Sequence, residues 1–313
     1  MSNYTEADLR DAILLVSEGH SQRQASELTG VPRSTLGDRI RLMQLVEEDS
    51  GLSGPKILVL DIETNFLRSA TWGLFKQNVG LNQIINDWYI IGFAAKWLGD
   101  SDIFYADKRD SWQNENDYQI CDQLWRLIDE ADIVIAHNGR KFDMKKINAR
   151  FLHHDMKPPR PVKVVDTLEI AKRHFAFTSN KLEYLTDKFC KVYKKSKHGQ
   201  FPGFELWSAC MDGNQDAWQE LEDYNVKDIL SLEELYVRLR AWDNKHPNLN
   251  LYYEDTLVRC NCGSEHLEHS GYWYTNLSKF DQFTCQDCGS HVRGRVNLLS
   301  KDKRNSLNVN ITN

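Results

Sequence analysis

Apolar and polar positions change rhythm twice along the 313-residue chain. Over residues 4–43, apolar residues recur at helical spacing: Leu9, Ile13, Leu14 and Val16, then Ala25 and Leu28, then Leu36, Ile40 and Met43. Thr5 with Asp8, and Ser21 with Gln24, have capping-box spacing, and Gly30-Val31-Pro32 breaks the second helix. The pattern predicts three short helices over residues 1–45, a helix-turn-helix arrangement with its third helix at about 33–45. Residues 46–55 mix acids, Ser, Gly and Pro without period and read as a linker.

From residue 56 to 243, continuous apolar runs alternate with amphipathic stretches. KILVLDIET (56–64), residues 88–98, 103–106, 131–138 and 162–167 predict strands, and residues 118–130, 141–153 and 217–242 predict helices. Alternation of this kind predicts an α/β domain, a mixed sheet flanked by helices. Residues 244–300 form a third part, where GYWYTNL and QFTC read as hairpin strands among four cysteines, and 301–313 read as a tail.

Composition narrows the function classes. With 41% hydrophobic and 27% charged residues the chain is globular in type. Its apolar runs are too short to span a bilayer, and its acidic, polar start has no secretory signal pattern, so no membrane partner and a cytoplasmic location are expected. With 39 basic against 45 acidic residues, net −6, contact with nucleic acid has to come from local patches.

Three sites carry candidate chemistry. Asp61 and Glu63 close the apolar run Ile-Leu-Val-Leu, and with a side-chain period of two they share one face. An apolar strand does not place two like charges side by side cheaply unless cations neutralise them. His137-Asn138-Gly139-Arg140-Lys141-Phe142-Asp143 lies where a strand turns into a helix, with Gly139 expected to permit the turn, Phe142 to pack inward and Asp143 to face the strand ends. Tyr224 and Asp228 are i and i+4 on the long late helix, so phenol and carboxylate point the same way.

Taken together and in this order, Asp-x-Glu, His-Asn-x-x-x-Phe-Asp and Tyr-x-x-x-Asp resemble the motifs of the DEDD superfamily of 3′→5′ exonucleases, in its tyrosine-bearing branch. Relatives include ribonuclease D and the proofreading domains of DNA polymerases. KILVLDIETNFLRSATWGLFKQNVGLNQI is also similar to a group of predicted exonucleases in phages and bacteria. The resemblance covers roughly residues 55–242 and implies a ribonuclease H-like fold. It implies Asp61, Glu63, Asp143 and Asp228 as ligands of two Mg²⁺ or Mn²⁺ ions, with nucleoside 5′-monophosphates released from the 3′ end of nucleic acid, DNA ahead of RNA. It implies that Tyr224 positions the attacking water or helps deprotonate it. Thr64 and Asn138 are candidates to contact the terminal nucleotide. Phe66, Trp72 and Phe75 either stack on a base or, as aromatics more often do, pack in the core. Asp166, closing a further strand, reads as a support of the site rather than a member of it.

Local charge fits a polyanion. Residues 140–163 hold eight basic residues, beginning with Arg140 and Lys141 at the candidate site, against Asp143 and Asp155. Lys188, Lys191, Lys194, Lys195 and Lys197 form a second patch. The segment ELTGVPRSTLGDRI resembles homeodomain-like units of resolvases and transposases, which would present Arg33, Ser34, Thr35, Arg39 and Arg41 to duplex DNA; the alternative is a small packing or docking module. Cys260-x-Cys262 and Cys285-x-x-Cys288 resemble a zinc ribbon with one structural Zn²⁺. Its first pair is one residue short of the usual spacing, so His266, His269 or His291 could replace a ligand. Beside the exonuclease stand two other readings, a transposase- or integrase-like recombinase and a non-catalytic DNA-binding regulator. The second acid on the first strand and the Tyr-Asp pair on the late helix favour the exonuclease.

Overall fold

A computed structural model of the chain describes residues 4–47, 54–193 and 199–311. Most of the expected linker, and Lys194, Lys195 and Lys197, lie outside those residues.

The chain opens with α1 (Glu6–Ser17), α2 (Gln22–Thr29) and α3 (Arg33–Glu47). Both expected capping boxes form, and Gly30 takes the left-handed conformation that ends α2. Leu9, Ala12, Ala25, Val31 and Leu36 make a small core of their own.

The central domain begins with β1 (Ile57–Thr64), followed by a short hairpin of β2 (Arg68–Ser69) and β3 (Ile84–Asn86). Next come β4 (Ile90–Trp97), β5 (Phe104–Asp107), α4 (Tyr118–Glu130), β6 (Ile133–Ala136), α5 (Asp143–His153) and β7 (Lys163–Asp166). Four helices complete it: α6 (Thr167–His174), α7 (Leu182–Phe189), α8 (Phe204–Met211) and α9 (Gln215–Leu239). The five-stranded sheet has the order β5-β4-β1-β6-β7. β1 pairs antiparallel with β4 and parallel with β6, so the sheet is mixed.

The alternation of β1 decides what lies where. Ile57 and Val59 join the core under α6, α7 and α9, whereas Leu58, Leu60 and Ile62 join the core under α4 and α5. Continuing the odd series, Asp61 and Glu63 face α9.

The chain ends in a three-stranded antiparallel sheet of β8 (Leu267–Tyr274), β9 (Lys279–Cys285) and β10 (His291–Arg293), followed by α10 (Lys301–Asn305). Among the described residues no helix is long and apolar enough to cross a membrane.

The first three helices are docked on the central domain, which alters one expectation. Arg39, expected to face DNA, is buried, with Nη1 4.0 Å from Oε2 of Glu233 on α9 and its guanidinium 4.8 Å above the Tyr193 ring. Glu233 is itself buried, is ion-paired to Lys96 of β4, and accepts the Gly99 N–H at 2.8 Å. Val192 packs on the helical core and Lys191 lies 3.9 Å from Asp38. The physical reason is that two buried cations, Arg39 and Lys96, need a counter-charge, and Glu233 is placed between them.

Candidate active site

β1 delivers Asp61 and Glu63 to the α9 side of the sheet. α9 delivers Tyr224 and Asp228, and it adds Asn225, fully buried, whose Nδ2 donates to Oδ2 of Asp61 at 2.6 Å. α5 delivers Asp143 in its first turn, where Oδ1 accepts the Ile62 N–H at 3.3 Å and so ties the helix start to β1. Three elements far apart in sequence thus converge on the end of β1.

Electrostatics shows how closely they converge. Burial drives the Asp61 carboxyl well above the ordinary carboxylate range, and the charges of Asp143, Glu63 and Asp228 push it further. Asn225 opposes the rise by donating to the ionised form. Asp143 is pushed up to about 7, again chiefly by burial, against the pull of its backbone hydrogen bonds. The Tyr224 phenol is raised by burial and then by Asp228, Glu63 and Asp61, so it keeps its proton at neutral pH.

The turn before Asp143 is built differently from expectation. Asn138, not Gly139, takes the left-handed conformation, with φ +69°. Gly139 is needed for a close approach instead, since a Cβ there would lie 2.4 Å from Cβ of Ala136. Asp166 holds this turn: Oδ1 accepts the Asn138 N–H at 2.9 Å and Oδ2 the Arg140 N–H at 3.2 Å, while Oδ1 also caps α6. Phe142 is 39% exposed rather than inward. It precedes Asp143 by about 100° of helix turn, and the inward place goes to the carboxylate. His137 is half-buried, with its pKa lowered by burial; Nε2 faces the Asn180 carbonyl at 3.0 Å and Nδ1 the Thr167 hydroxyl at 2.9 Å, so it is a strut and not a member of the cluster.

The remaining expected contacts divide. Thr64 ends β1 beside the acids and is half-buried. Phe66 packs on Phe204 of α8 with ring centroids 4.8 Å apart. Trp72 and Phe75 are 97% and 84% exposed, so the commoner fate of core packing does not apply. Arg140 turns away to Glu169, Nε to Oε2 3.3 Å, and to the Val164 carbonyl. Lys141 is exposed. Arg150, counted among the basic patch, is buried in a bidentate pair with Asp117, which also receives His154. That pair removes Arg150 from the patch.

Two residues of the site were not found in the sequence. Asn225 lies three before Asp228, on the same helical face, and that spacing was a usable signal. Trp207 gave none. From α8 its Nε1 donates to Oε2 of Glu63 at 3.2 Å, and its ring meets Tyr224 edge-on at 6.1 Å. Beside it opens a cavity of about 610 Å³ lined by Phe201, Trp207, Glu220, Tyr224, Lys227 and Asp228 among others, a size suited to a small ligand or a terminal group.

Among the described residues, ligand atoms of three or more Cys, His, Asp or Glu side chains come within 4.8 Å of one another at two places. One is Asp117, Cys121 and His154, where Arg150 already supplies the cation. The other is Cys260, Cys262, Cys285 and Cys288, with Sγ separations of 3.7 Å (Cys260–Cys288) and 3.8 Å (Cys262–Cys285). Hydrogen bonds from Cys260, Cys262 and Cys288 pull the Cys285 thiol far down, toward thiolate. His266, His269 and His291 are engaged with Asp287, Asp281 and Thr284, so none is turned to the sulfurs. No three carboxylates of the Asp61 set meet that distance among the described residues.

The model of the RNase H superfamily matches residues 78–240. The chain belongs to the RNase H superfamily. No curated protein matches it. Among solved structures, this RNase H superfamily member is similar to the family B DNA polymerase from the hyperthermophilic archaeon Pyrobaculum calidifontis, at 15% identity and a TM-score of 0.43. That match covers 59% of this chain and 25% of the polymerase, so the chain spans about a quarter of the polymerase it matches.

Proposed function

We propose that this protein is a metal-dependent 3′→5′ exonuclease that hydrolyses phosphodiester bonds at the 3′ end of nucleic acid, DNA ahead of RNA, and releases nucleoside 5′-monophosphates. The observation that carries the reading is the convergence of Asp143, Glu63 and Asp228 on Asp61, whose carboxyl is raised first by burial and further by those three charges. Like charges held away from water are costly, and four carboxylates together, Asp143 and Asp228 buried and Asp61 and Glu63 half-buried, are a poor structural device unless cations join them.

The donor set fits two divalent cations. All four side chains offer hard oxygen ligands, as Mg²⁺ and Mn²⁺ prefer, and four carboxylates carry charge enough for two such ions. Asp61, Glu63, Asp143 and Asp228 would hold them. When bound, such a pair neutralises the scissile phosphate and promotes attack by water. The chain's own residues do the rest. Asn225 holds the Asp61 carboxylate in one orientation, and Trp207 does the same for Glu63. Tyr224, kept protonated by burial and by its hydrogen bond with Asp228, would position that carboxylate and the water beside it, and does not act as a base. Asp166 fixes the turn that aims Asp143. Thr64 and Asn138 stand at the two strand ends where a terminal sugar would rest.

The accessory parts read as binding and structural modules. The four cysteines are saturated tetrahedral donors for one structural Zn²⁺. With Arg39 turned inward, Arg33, Ser34, Thr35 and Arg41 are what α3 retains for duplex DNA. The domain reading is 1–45 helix-turn-helix, 46–55 linker, 56–243 exonuclease, 244–300 zinc ribbon and 301–313 tail.

The test offers 5′-labelled DNA and RNA oligonucleotides with Mg²⁺ or Mn²⁺ to the wild type and to Asp61→Ala. A ladder shortening from the 3′ end, absent in the variant, supports the reading. Internal cuts, strand transfer, or cleavage that survives in Asp61→Ala would reject it.

A further inference from the structure

The segment from residue 65 to 86 holds no Asp or Glu in a chain that has 45 of them, and it carries Arg68 and Lys76. Its apolar side chains are turned out: Trp72 is 97% exposed, Leu74 92%, Phe75 84% and Leu81 88%. The segment is nevertheless built. β2 pairs with β3, Ala70 N–H donates to the Gln83 carbonyl at 2.9 Å, and Asn65 exchanges hydrogen bonds with Tyr89 at the root, its N–H donating at 3.1 Å and its Oδ1 accepting at 2.6 Å. It is an arm anchored at both ends, with its large rings at the tip.

The root of the arm abuts the carboxylate cluster through an aromatic row. Tyr224 meets Trp207, Trp207 shares α8 with Phe204, and Phe204 packs on Phe66. Phe66 is three residues beyond Glu63. A strand whose end lies at the acids would therefore leave past Phe66 and Phe204 toward the exposed rings.

Resting on the exonuclease reading, we propose that this arm is a stacking surface for single-stranded nucleic acid, gripping unpaired nucleotides upstream of the 3′ end through Trp72 and Phe75, with Arg68 and Lys76 meeting phosphates. Such a strand supplies both things the surface lacks, flat rings for the aromatics and negative charge for the cations. A second copy is the poorer fit: two arms meeting at their tips bring the two Lys76 side chains together, and the carboxylate of Glu115, held by Asn86 beside Arg68, lies at the root. The arm would thus grip the single-stranded or frayed 3′ end that the exonuclease resemblance already implies, in preference to a blunt end.

The experiment uses the full chain carrying Asp61→Asn, which leaves the bound strand intact. Fluorescence anisotropy compares a labelled oligothymidylate with a blunt duplex, with and without Trp72→Ala/Phe75→Ala. Base stacking on one aromatic corresponds to about tenfold in affinity, so the double variant should bind the single strand at least about tenfold more weakly and the duplex nearly unchanged. Exchanging the rings, Trp72→Phe/Phe75→Trp, should restore binding, and thermal melting confirms that these surface changes leave the fold intact. Equal affinity of the variants for the single strand overturns the arm proposal while trimming by the Asp61 wild type keeps the exonuclease reading. If the parent binds no oligonucleotide, the arm proposal falls, and trimming by the wild type alone decides the exonuclease reading. A variant that converts a dimer to a monomer at unchanged oligonucleotide affinity overturns the arm proposal in favour of self-association.

Discussion

Asn225 and Asp61 are joined by a 2.6 Å hydrogen bond between a fully buried amide and a carboxylate whose neighbours all repel its charge. The amide is thus a positioning group for the first acid of the site. Asn225→Ala is expected to raise the Mg²⁺ concentration needed for half-maximal trimming by about tenfold or more, the usual range for a partner that orients a ligand. A titration of the ion at saturating oligonucleotide reads this directly. An unchanged midpoint with a lowered melting temperature would assign Asn225 to packing alone.

Trp207→Phe removes the donor to Glu63 and keeps the ring against Tyr224. A hydrogen bond to a charged group is worth about 1.5–3 kcal/mol, so trimming should slow by about tenfold or somewhat more. The melting temperature should fall by no more than several degrees, since the same hydrogen bond also contributes to folding. Single-turnover rates on a labelled strand check it.

Tyr224→Phe keeps the ring and deletes a phenol that stays protonated across the working range. Because the phenol acts as a donor, the variant should be slower at every pH with the same profile shape. A wild-type profile with a limb that disappears in Tyr224→Phe would instead make it a base.

Without divalent ions, stability should fall as pH rises through about 7. The folded Asp143 holds its proton up to that pH, whereas in the unfolded chain it loses it near an ordinary value of about 3.9. The stabilisation from that proton is therefore complete below the unfolded value and lost above the folded one, and Asp61, also raised, adds in the same direction. Differential scanning fluorimetry from pH 5 to pH 9 in chelator-treated protein checks the slope. Mg²⁺ should raise the melting temperature more at the alkaline end, and Asp143→Asn should flatten the curve. A flat curve in the metal-free wild type would disconnect these carboxyls from one another.

Glu233→Gln should be among the most destabilising single changes. It leaves Lys96 and Arg39 buried without their counter-charge, a situation that costs about 3–5 kcal/mol. Chemical denaturation measures the loss. Arg39→Ala, which leaves the Lys96 pair in place, should cost less.

Much of this was readable beforehand, for a physical reason. A fully buried apolar run has two faces, so the period of two in Ile57–Thr64 already put Asp61 and Glu63 together, and the helical period did the same for Tyr224 and Asp228. What failed depended on partners distant in sequence. Arg39 looks like a surface cation until Glu233 is folded beneath it, and Arg150 looks like one until Asp117 is. Phe142 lost the inward place to a polar neighbour, against the usual preference of aromatics. Trp207 carries no local signature at all, because only the fold brings α8 to the end of β1.

The burial of Arg39 has a geometric corollary for the whole molecule. A sequence reader swinging on a tether could present a target at any angle, whereas helices latched through a guanidinium to α9 stand in a fixed relation to Tyr224 and Asp228 on that same helix. If the proposed activity holds, any duplex held by Arg33 and its neighbours would meet the candidate site at a single bearing and a single reach, so the spacing between a recognised stretch and the trimmed end would be set like the gap of a caliper.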